Sequence, residues 1–416
     1  MRSPLGAFIF IVCMLLLDTY MFMAIRTVSL SATPKTRNII FTVYWSLSIL
    51  AILGFLLFVF TGPDFMPKKV RTYLFATVIG IFLGKLVAGA FFLMDDLRRG
   101  IQWLAGKLFI QGTGSADVGH GNISRSAFLS WLGITAGTGL FGSLLYGFSN
   151  KYRYTVKKVT LASHRLPEAF KGLKIVHISD IHSGSFTDKK SVEKGVQKIL
   201  DLQPDLILFT GDLVNNLAEE MNDYTDLFTR LKAPMGVYST FGNHDYADYV
   251  SWDSPEAKAA NLEKLKKVHA SMGWRLLLDE NVQLERNGEA ITLIGVQNIS
   301  GRKSFHSYGD MGKAYQGVNT DSFQILMSHD PSHWDTEVRP HYPNVDLTLS
   351  GHTHGMQFGL EIPGFKWSPV QYVYKQWAGL YEEGHQRLYI NRGFGFIGYP
   401  GRLGILPEIT LIELIS

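Results

Sequence analysis

The sequence predicts an α/β domain preceded by a membrane helical bundle, and three observations carry that expectation. Long apolar runs with few acids fill residues 1–149, and the composition then turns into that of an ordinary charged globular protein. Five later apolar stretches of strand-like length each break into Asp, His or Asn. Helix-like sequence separates the first of those stretches from the second, which is the alternation of an α/β unit.

The 416 residues exceed the usual size of one domain, and the shift in composition sets the boundary near residue 150. Residues 1–150 read as a membrane anchor of about four helices with a linker at 110–126. Residues 151–416 read as a domain long enough to build a core around a cleft. A net charge of +4, with no basic stripe in the globular part, does not point to nucleic acid as a partner. The single cysteine, Cys13, sits inside an apolar run. A chain with one cysteine forms no internal disulfide and no Cys-based zinc site, so any metal is held by His, Asp, Asn or Glu.

Residues 5–25, 39–61, 72–94 and 127–148 approach or reach the roughly 20 apolar residues that cross a bilayer. The first of these has no small-residue cleavage site after it, which argues for a span and against a signal peptide. The fourth is rich in Gly and Ser and reads as a small-residue membrane helix or as a surface-lying one. Between the third and fourth lies an amphipathic segment from Asp95 to Phe109, followed by a Gly/Ser/Asn-rich linker. This connection carries Arg98, Arg99, Lys107 and Arg125, so the positive-inside rule places it in the cytoplasm and the globular domain outside. Lys85 falls in the middle of the third span, where an ionisable group is either functional or held by packing within the bundle.

In the globular part, the apolar run from Leu173 ends in Asp180-Ile181-His182, whose two metal-competent side chains lie two residues apart and point to the same side of a strand. A second run from Asp205 ends in Gly211-Asp212, and a third from Met235 ends in Gly242-Asn243-His244-Asp245. Two more, from Phe323 and Val345, lead to His329-Asp330 and to Gly351-His352-Thr353-His354. Ligands delivered at the carboxyl ends of successive strands form a site at one edge of a sheet.

These segments, Asp180-x-His182, Gly211-Asp212, Gly242-Asn243-His244-Asp245, His329 and Gly351-His352-x-His354, resemble the motif series of the calcineurin-like metallophosphoesterases. The C-terminal segment resembles the bacterial membrane-associated phosphodiesterase branch of that family. The resemblance implies a four-layer α/β/β/α sandwich holding two divalent ions. It places one ion on Asp180, His182 and His354, the other on Asn243, His329 and His352, and Asp212 between them. Imidazole and carboxylate ligands together suit Mn, Fe or Zn better than Ca. By the same resemblance His244 is the catalytic histidine, and Asp245 orients it. Asn215 stands where many relatives carry an acid.

In the tail, Arg392 and Arg402 are candidate phosphate clamps, because a guanidinium fork matches two phosphoryl oxygens. Trp367, Tyr372, Tyr374 and Trp377 form a lipid-facing lip or cover the sheet edge. His177 reads as a core residue, whereas His120, His164, His269, His306, His333, His341 and His385 read as surface or loop.

Two function classes follow. One is a dinuclear-metal phosphoesterase that hydrolyses a phosphodiester or pyrophosphate of a membrane lipid or nucleotide-linked lipid, such as UDP-2,3-diacylglucosamine. The other is a non-catalytic sensor or scaffold that binds a phosphorylated ligand on the same fold. The expected partners are the lipid bilayer and a phosphorylated small molecule or lipid, and the expected location is the bacterial cytoplasmic membrane.

Overall fold

Apolar runs without proline in their interiors become long helices: α1 (Pro4–Val28), α2 (Pro34–Phe60), α3 (Lys68–Phe109) and α4 (Arg125–Asn150). They belong to a computed structural model that describes residues 4–61, 65–109 and 125–415. The chain folds into two compact units, Met1–Tyr146 and Gly147–Ser416. The Gly-rich linker expected at 110–126 and His120 lie, up to residue 124, outside the described residues.

All four helices are long and apolar enough to cross a membrane. The segment from Asp95 to Phe109 is not a separate amphipathic helix but the continuation of α3, because no proline interrupts its hydrogen bonding. At 42 residues α3 is about 63 Å long, roughly twice the hydrocarbon thickness of a bilayer. Where α4 meets α3, small residues set the spacing: a Cβ on Gly133 would lie 2.8 Å from the Ala88 carbonyl oxygen, and one on Gly137 would press on the Gly84 carbonyl. Close backbone approach through small residues is the packing by which membrane helices associate.

Lys85 is held inside this bundle. Its ammonium pairs with the Asp18 carboxylate and donates to Ser48 Oγ at 2.8 Å, and Tyr44 donates to the Asp18 carbonyl at 2.8 Å. Asp18 and Ser48 are buried, so each charge has its partner where water cannot supply one. An Asp18→Leu variant is expected to lower the stability of the full chain in detergent by about 3 kcal/mol, through the stranded ammonium. Adding Lys85→Met should recover most of that loss; a double variant as unstable as the single one would show that the pairing is not what matters.

The globular unit contains fourteen strands among the described residues. They are β1 (Thr155–Ala162), β2 (Lys174–Ile178), β3 (Leu206–Phe209), β4 (Val237–Ser239), β5 (Arg275–Leu276), β6 (Glu280–Arg286), β7 (Glu289–Gly295), β8 (Gln324–Met327), β9 (Leu347–Ser350), β10 (Leu360–Ile362), β11 (Phe365–Trp367), β12 (Gly379–Glu383), β13 (Gln386–Ile390) and β14 (Glu408–Ile415). One six-stranded sheet has the order β1-β14-β2-β3-β4-β5 and the other β12-β13-β9-β8-β7-β6, with β10-β11 as a separate hairpin. Strands β2 to β5 run parallel, as do β7, β8 and β9, so their carboxyl ends share a direction within each sheet.

The layers follow from the period of two along each strand. Ile175, Leu206 and Leu208 of the first sheet pack against Leu293, Ile325 and Leu349 of the second, forming the core between the sheets. The alternate residues Val176, Ile178, Ile207 and Phe209 face a second core built with Val192, Val196 and Ile199 of α5 (Lys189–Asp201) and Leu265 of α6 (Pro255–Ser271). On the far face of the second sheet, Ile294, Leu326 and Leu388 pack against Met311, Trp334 and Val338 from short helical turns. This is the α/β/β/α sandwich. Helix α5 starts where the Asp188 side chain accepts the N–H groups of Lys190 and Ser191, and α6 where Ser254 accepts that of Ala257.

Candidate functional site

Each candidate ligand sits two to four residues beyond the end of a strand: β2 leads to Asp180 and His182, β3 to Asp212, β4 to Asn243, β8 to His329, and β9 to His352 and His354. Five of these residues hold left-handed backbone, with φ of 53° at Asp180, 49° at His182, 60° at Asp212, 72° at His352 and 50° at His354. Such conformations are uncommon outside glycine and concentrate at functional sites. Interlocked hydrogen bonds enforce them. Asp180 N donates to Gly211 O at 2.9 Å, His182 N to Asp212 O at 3.1 Å, and His352 N to Asp180 Oδ2 at 3.0 Å. The turn at Gly242 leaves no room for a side chain, because a Cβ there would lie 2.7 Å from His329 Nδ1.

The side chains converge in two groups. Ligand atoms of Asp180, His182 and His354 lie within 4.8 Å of one another, and so do those of Asp180, Asp212 and His329. Asp180 Oδ1 is 3.3 Å from His354 Nε2, while Asp212 Oδ2 is 3.5 Å from His182 Nε2 and 3.2 Å from His329 Nε2. Asn243 Oδ1 faces His352 Nδ1 at 2.9 Å, and its amide donates to Tyr249 OH at 2.8 Å. His182 Nε2, His329 Nε2 and His354 Nε2 are buried and make no hydrogen bond. Buried imidazole nitrogens left unpaired beside buried carboxylates fit a cation-binding set, since a divalent ion supplies what both groups lack.

The electrostatics agree with that fit. Burial holds the imidazoles of His182, His352 and His354 below their ordinary pKa, which favours the uncharged form that ligates. Burial also opposes charge on His329, but the Asp212 and Asp180 carboxylates outweigh it and raise His329 to about 10. Burial would raise Asp180, yet His354, His329 and His182 hold it well below the carboxylate range. Metal loading near neutral pH should therefore release about one proton, from His329, because a ligating imidazole must give it up. Titration calorimetry in buffers of different ionisation enthalpy reads that number; no release would contradict the assignment of His329.

His244 reaches the same cavity, which measures about 380 Å³ and is lined also by His182, Asp212, Asn243, His352 and His354. Its Nδ1 pairs with the backbone carbonyl of Asn215 at 2.9 Å, and its ring lies 4.4 Å from that of Tyr249. Asp245 does not orient it. Its carboxylate turns the other way and accepts the N–H groups of Asp212 at 2.8 Å, Leu213 at 2.9 Å and Gly242 at 2.9 Å. Asp245 thus ties the β3 turn to the β4 turn. The side chain of Asn215, at the position where many relatives carry an acid, donates to Ser185 Oγ at 3.0 Å, and its backbone carbonyl serves His244.

Neither tail arginine is available to clamp a phosphate. Arg392 is buried and divided between Glu408 at 2.5 Å and Glu361 at 2.8 Å. Arg402 is fully buried and donates to the carbonyls of Arg392 at 2.7 Å, Gly393 at 3.2 Å, His354 at 3.3 Å and Gly395. It also lies 3.1 Å from His354 Nδ1. Arg402 therefore fixes the His354 loop to the C-terminal segment. Arg402→Met strands several buried carbonyls, and a destabilisation of roughly 3 kcal/mol is expected from that cause. Chemical denaturation measures it; a change within 0.5 kcal/mol, roughly the effect of a surface substitution, would remove this role.

His177 is buried in the core, hydrogen-bonded to Thr210 at 2.9 Å. His269 and His333, expected at the surface, are fully buried, because Ser239 and Ser328 each offer a hydroxyl at 2.9 Å to a ring nitrogen. Of the tail aromatics, Tyr374 and Trp377 are buried while Tyr372 is exposed. Tyr374 OH is 2.8 Å from His352 Nε2, a placement that its position in an aromatic stretch does not reveal.

Comparison with known proteins bears on this arrangement. Residues 1–151 match a family described as probable calcineurin-like phosphoesterase, transmembrane domain, and residues 173–356 match calcineurin-like phosphoesterase. A "transmembrane protein with metallophosphoesterase domain" of Danio rerio is 31% identical over 265 residues, covering 62% of this chain and 57% of that protein. A protein of the same description from Bos taurus is 27% identical over 403 residues, covering 93% and 84%. The UDP-2,3-diacylglucosamine pyrophosphatase LpxG of Chlamydia muridarum is 30% identical over 297 residues, covering 61% of this chain and 88% of that protein.

Proposed function

The chain belongs to the calcineurin-like family of metal-dependent phosphoric ester hydrolases, and on that premise we propose that it hydrolyses a phosphodiester or pyrophosphate of a membrane lipid or nucleotide-linked lipid. The observation that carries this reading is the convergence of Asp180, His182, Asp212, His329 and His354 in two adjoining buried groups beside His244. Support for a lipid-linked substrate comes from the four apolar helices and from the similarity to LpxG.

In this reading Asp180, His182 and His354 would hold one divalent ion, Asn243, His329 and His352 would hold the second, and Asp212 would serve both. Two such ions, of Mn, Fe or Zn, would supply when bound a hydroxide at neutral pH and charge to offset that of the phosphoryl oxygens. The chain's own groups do the rest. Thr210 O fixes His329 through Nδ1 at 2.8 Å, and Tyr374 contacts the outer nitrogen of His352, so both rings are held in register. His244, with Nδ1 donating to Asn215 O, keeps Nε2 as the nitrogen that passes a proton to the departing oxygen from the imidazolium form, returning the ring to its Nδ1–H neutral form. The basic residues Arg98, Arg99, Lys107 and Arg125 support an arrangement with the catalytic domain outside the cytoplasmic membrane of a bacterium.

The test is hydrolysis of bis-p-nitrophenyl phosphate and of UDP-2,3-diacylglucosamine by the full chain in detergent. The expected result is turnover of both that is abolished by a chelator and restored by Mn, with preference for the lipid. Bound metal without turnover of either would favour a phospho-ligand sensor.

A further inference from the structure

We propose that Arg302 binds a second phosphoryl group of the substrate, next to the one at the metal centre, so that the cleft selects diphosphates over single phosphodiesters. The inference rests on the reading above and names the substrate class for the same site.

Arg302 lines the cavity that holds His182, Asp212, Asn243, His244 and His352, and among the described residues it is the one Lys or Arg on that wall. Its guanidinium carbon is 5.0 Å from the ring centroid of Tyr374, whose hydroxyl is 2.8 Å from His352 Nε2. A single aromatic ring thus separates the cation from a candidate metal ligand. Stacking on Tyr374 and a 2.6 Å bond from Nη1 to the Val373 carbonyl fix the plane of the fork.

The remaining donors lack protein partners. Arg302 Nε is buried and makes no hydrogen bond, and among the described residues no carboxylate lies within ion-pair distance of this guanidinium. Arg392, by contrast, is paired with two acids, and Arg402 is committed to backbone carbonyls. Phe305, Met356, Val370 and Val373 on the same wall are apolar, and among the described residues the one carboxylate lining the cavity, Asp212, is turned to His182 and His329. A fixed, unpaired guanidinium facing a cleft is complementary to an anion that the ligand brings.

That anion is a phosphoryl group one bridging oxygen away from the first. Ions bound at the metal site would offset the charge of the phosphoryl group next to them, and a diphosphate carries further charge on the neighbouring one. A simple phosphodiester has no such group. The apolar wall next to Arg302 then receives whatever hydrocarbon the second phosphoryl carries.

The test is calorimetric binding of UMP and UDP to the Mn-loaded full chain, in wild type, Arg302→Gln and Arg302→Lys, with metal content and melting midpoint as folding checks. Arg302→Gln is expected to weaken UDP about 10- to 100-fold and UMP less than about threefold, with Arg302→Lys between, because Lys keeps the charge but loses the fork. Equal weakening of both nucleotides, or unchanged UDP binding, would overturn the proposal. Binding does not need turnover. A chain that binds UDP through Arg302 but hydrolyses nothing supports this inference while removing the hydrolase reading, and one that hydrolyses bis-p-nitrophenyl phosphate yet ignores Arg302 does the reverse.

Discussion

Asp212→Asn is expected to lower hydrolysis on the order of 10³-fold, with less metal bound and the fold intact. Asp212 is the carboxylate that lies between the His182 and His329 rings, its Oδ2 3.5 Å from His182 Nε2 and 3.2 Å from His329 Nε2. Its other oxygen accepts the His244 N–H at 2.8 Å, which an amide oxygen can also do. The substitution therefore preserves shape and that hydrogen bond while removing the negative charge that, on the proposed assignment, would lie between two cations. Elemental analysis and steady-state kinetics on the same preparation check both halves. Activity within tenfold of wild type would place the bridging role elsewhere.

The second large effect is at His244. Replacing it with Asn is expected to lower kcat by about 10²- to 10⁴-fold, the usual contribution of a positioned proton donor, without loss of metal. Metal should stay because the His244 ring bonds Asn215 O and not the ligand cluster. The loss should be larger for an alkyl leaving group than for p-nitrophenolate, which departs without needing a proton. A loss that is the same for both leaving groups would make His244 a stabiliser of phosphoryl charge instead of a proton donor.

The parts of this molecule that were legible in the sequence are the ones encoded locally. A strand that ends in Asp-x-His or Gly-Asn-His-Asp declares both its apolar period and its ligands within ten residues, so the strand ends and the converging residues could be read directly. What sits behind the ligands could not, because it comes from far along the chain or from backbone atoms. The carbonyl of Asn215 that holds His244 is supplied by any residue type, and Tyr374 reaches His352 from 22 residues away.

Adjacency misled in the other direction. Asp245 follows His244 and suggests a pair, yet the turn directs its carboxylate to the N–H groups of Asp212 and Leu213. Arg392 and Arg402 have the right chemistry for phosphate, but Glu408 and the carbonyls of residues 392–395 claim them first. In the membrane unit, charge at Asp95 and Asp96 reads as the end of a span, although α3 continues through it to Phe109. Lys85 could be recognised as costly from its position, but its partners Asp18 and Ser48 belong to two other helices.

The measurement that bears most directly on a dinuclear hydrolase is Mn titration of the metal-free full chain, with bound metal and bis-p-nitrophenyl phosphate hydrolysis followed together. The prediction is saturation at about two ions per chain, with activity rising as the second ion binds. Full activity at one ion, or hydrolysis that persists with no metal bound, would contradict it.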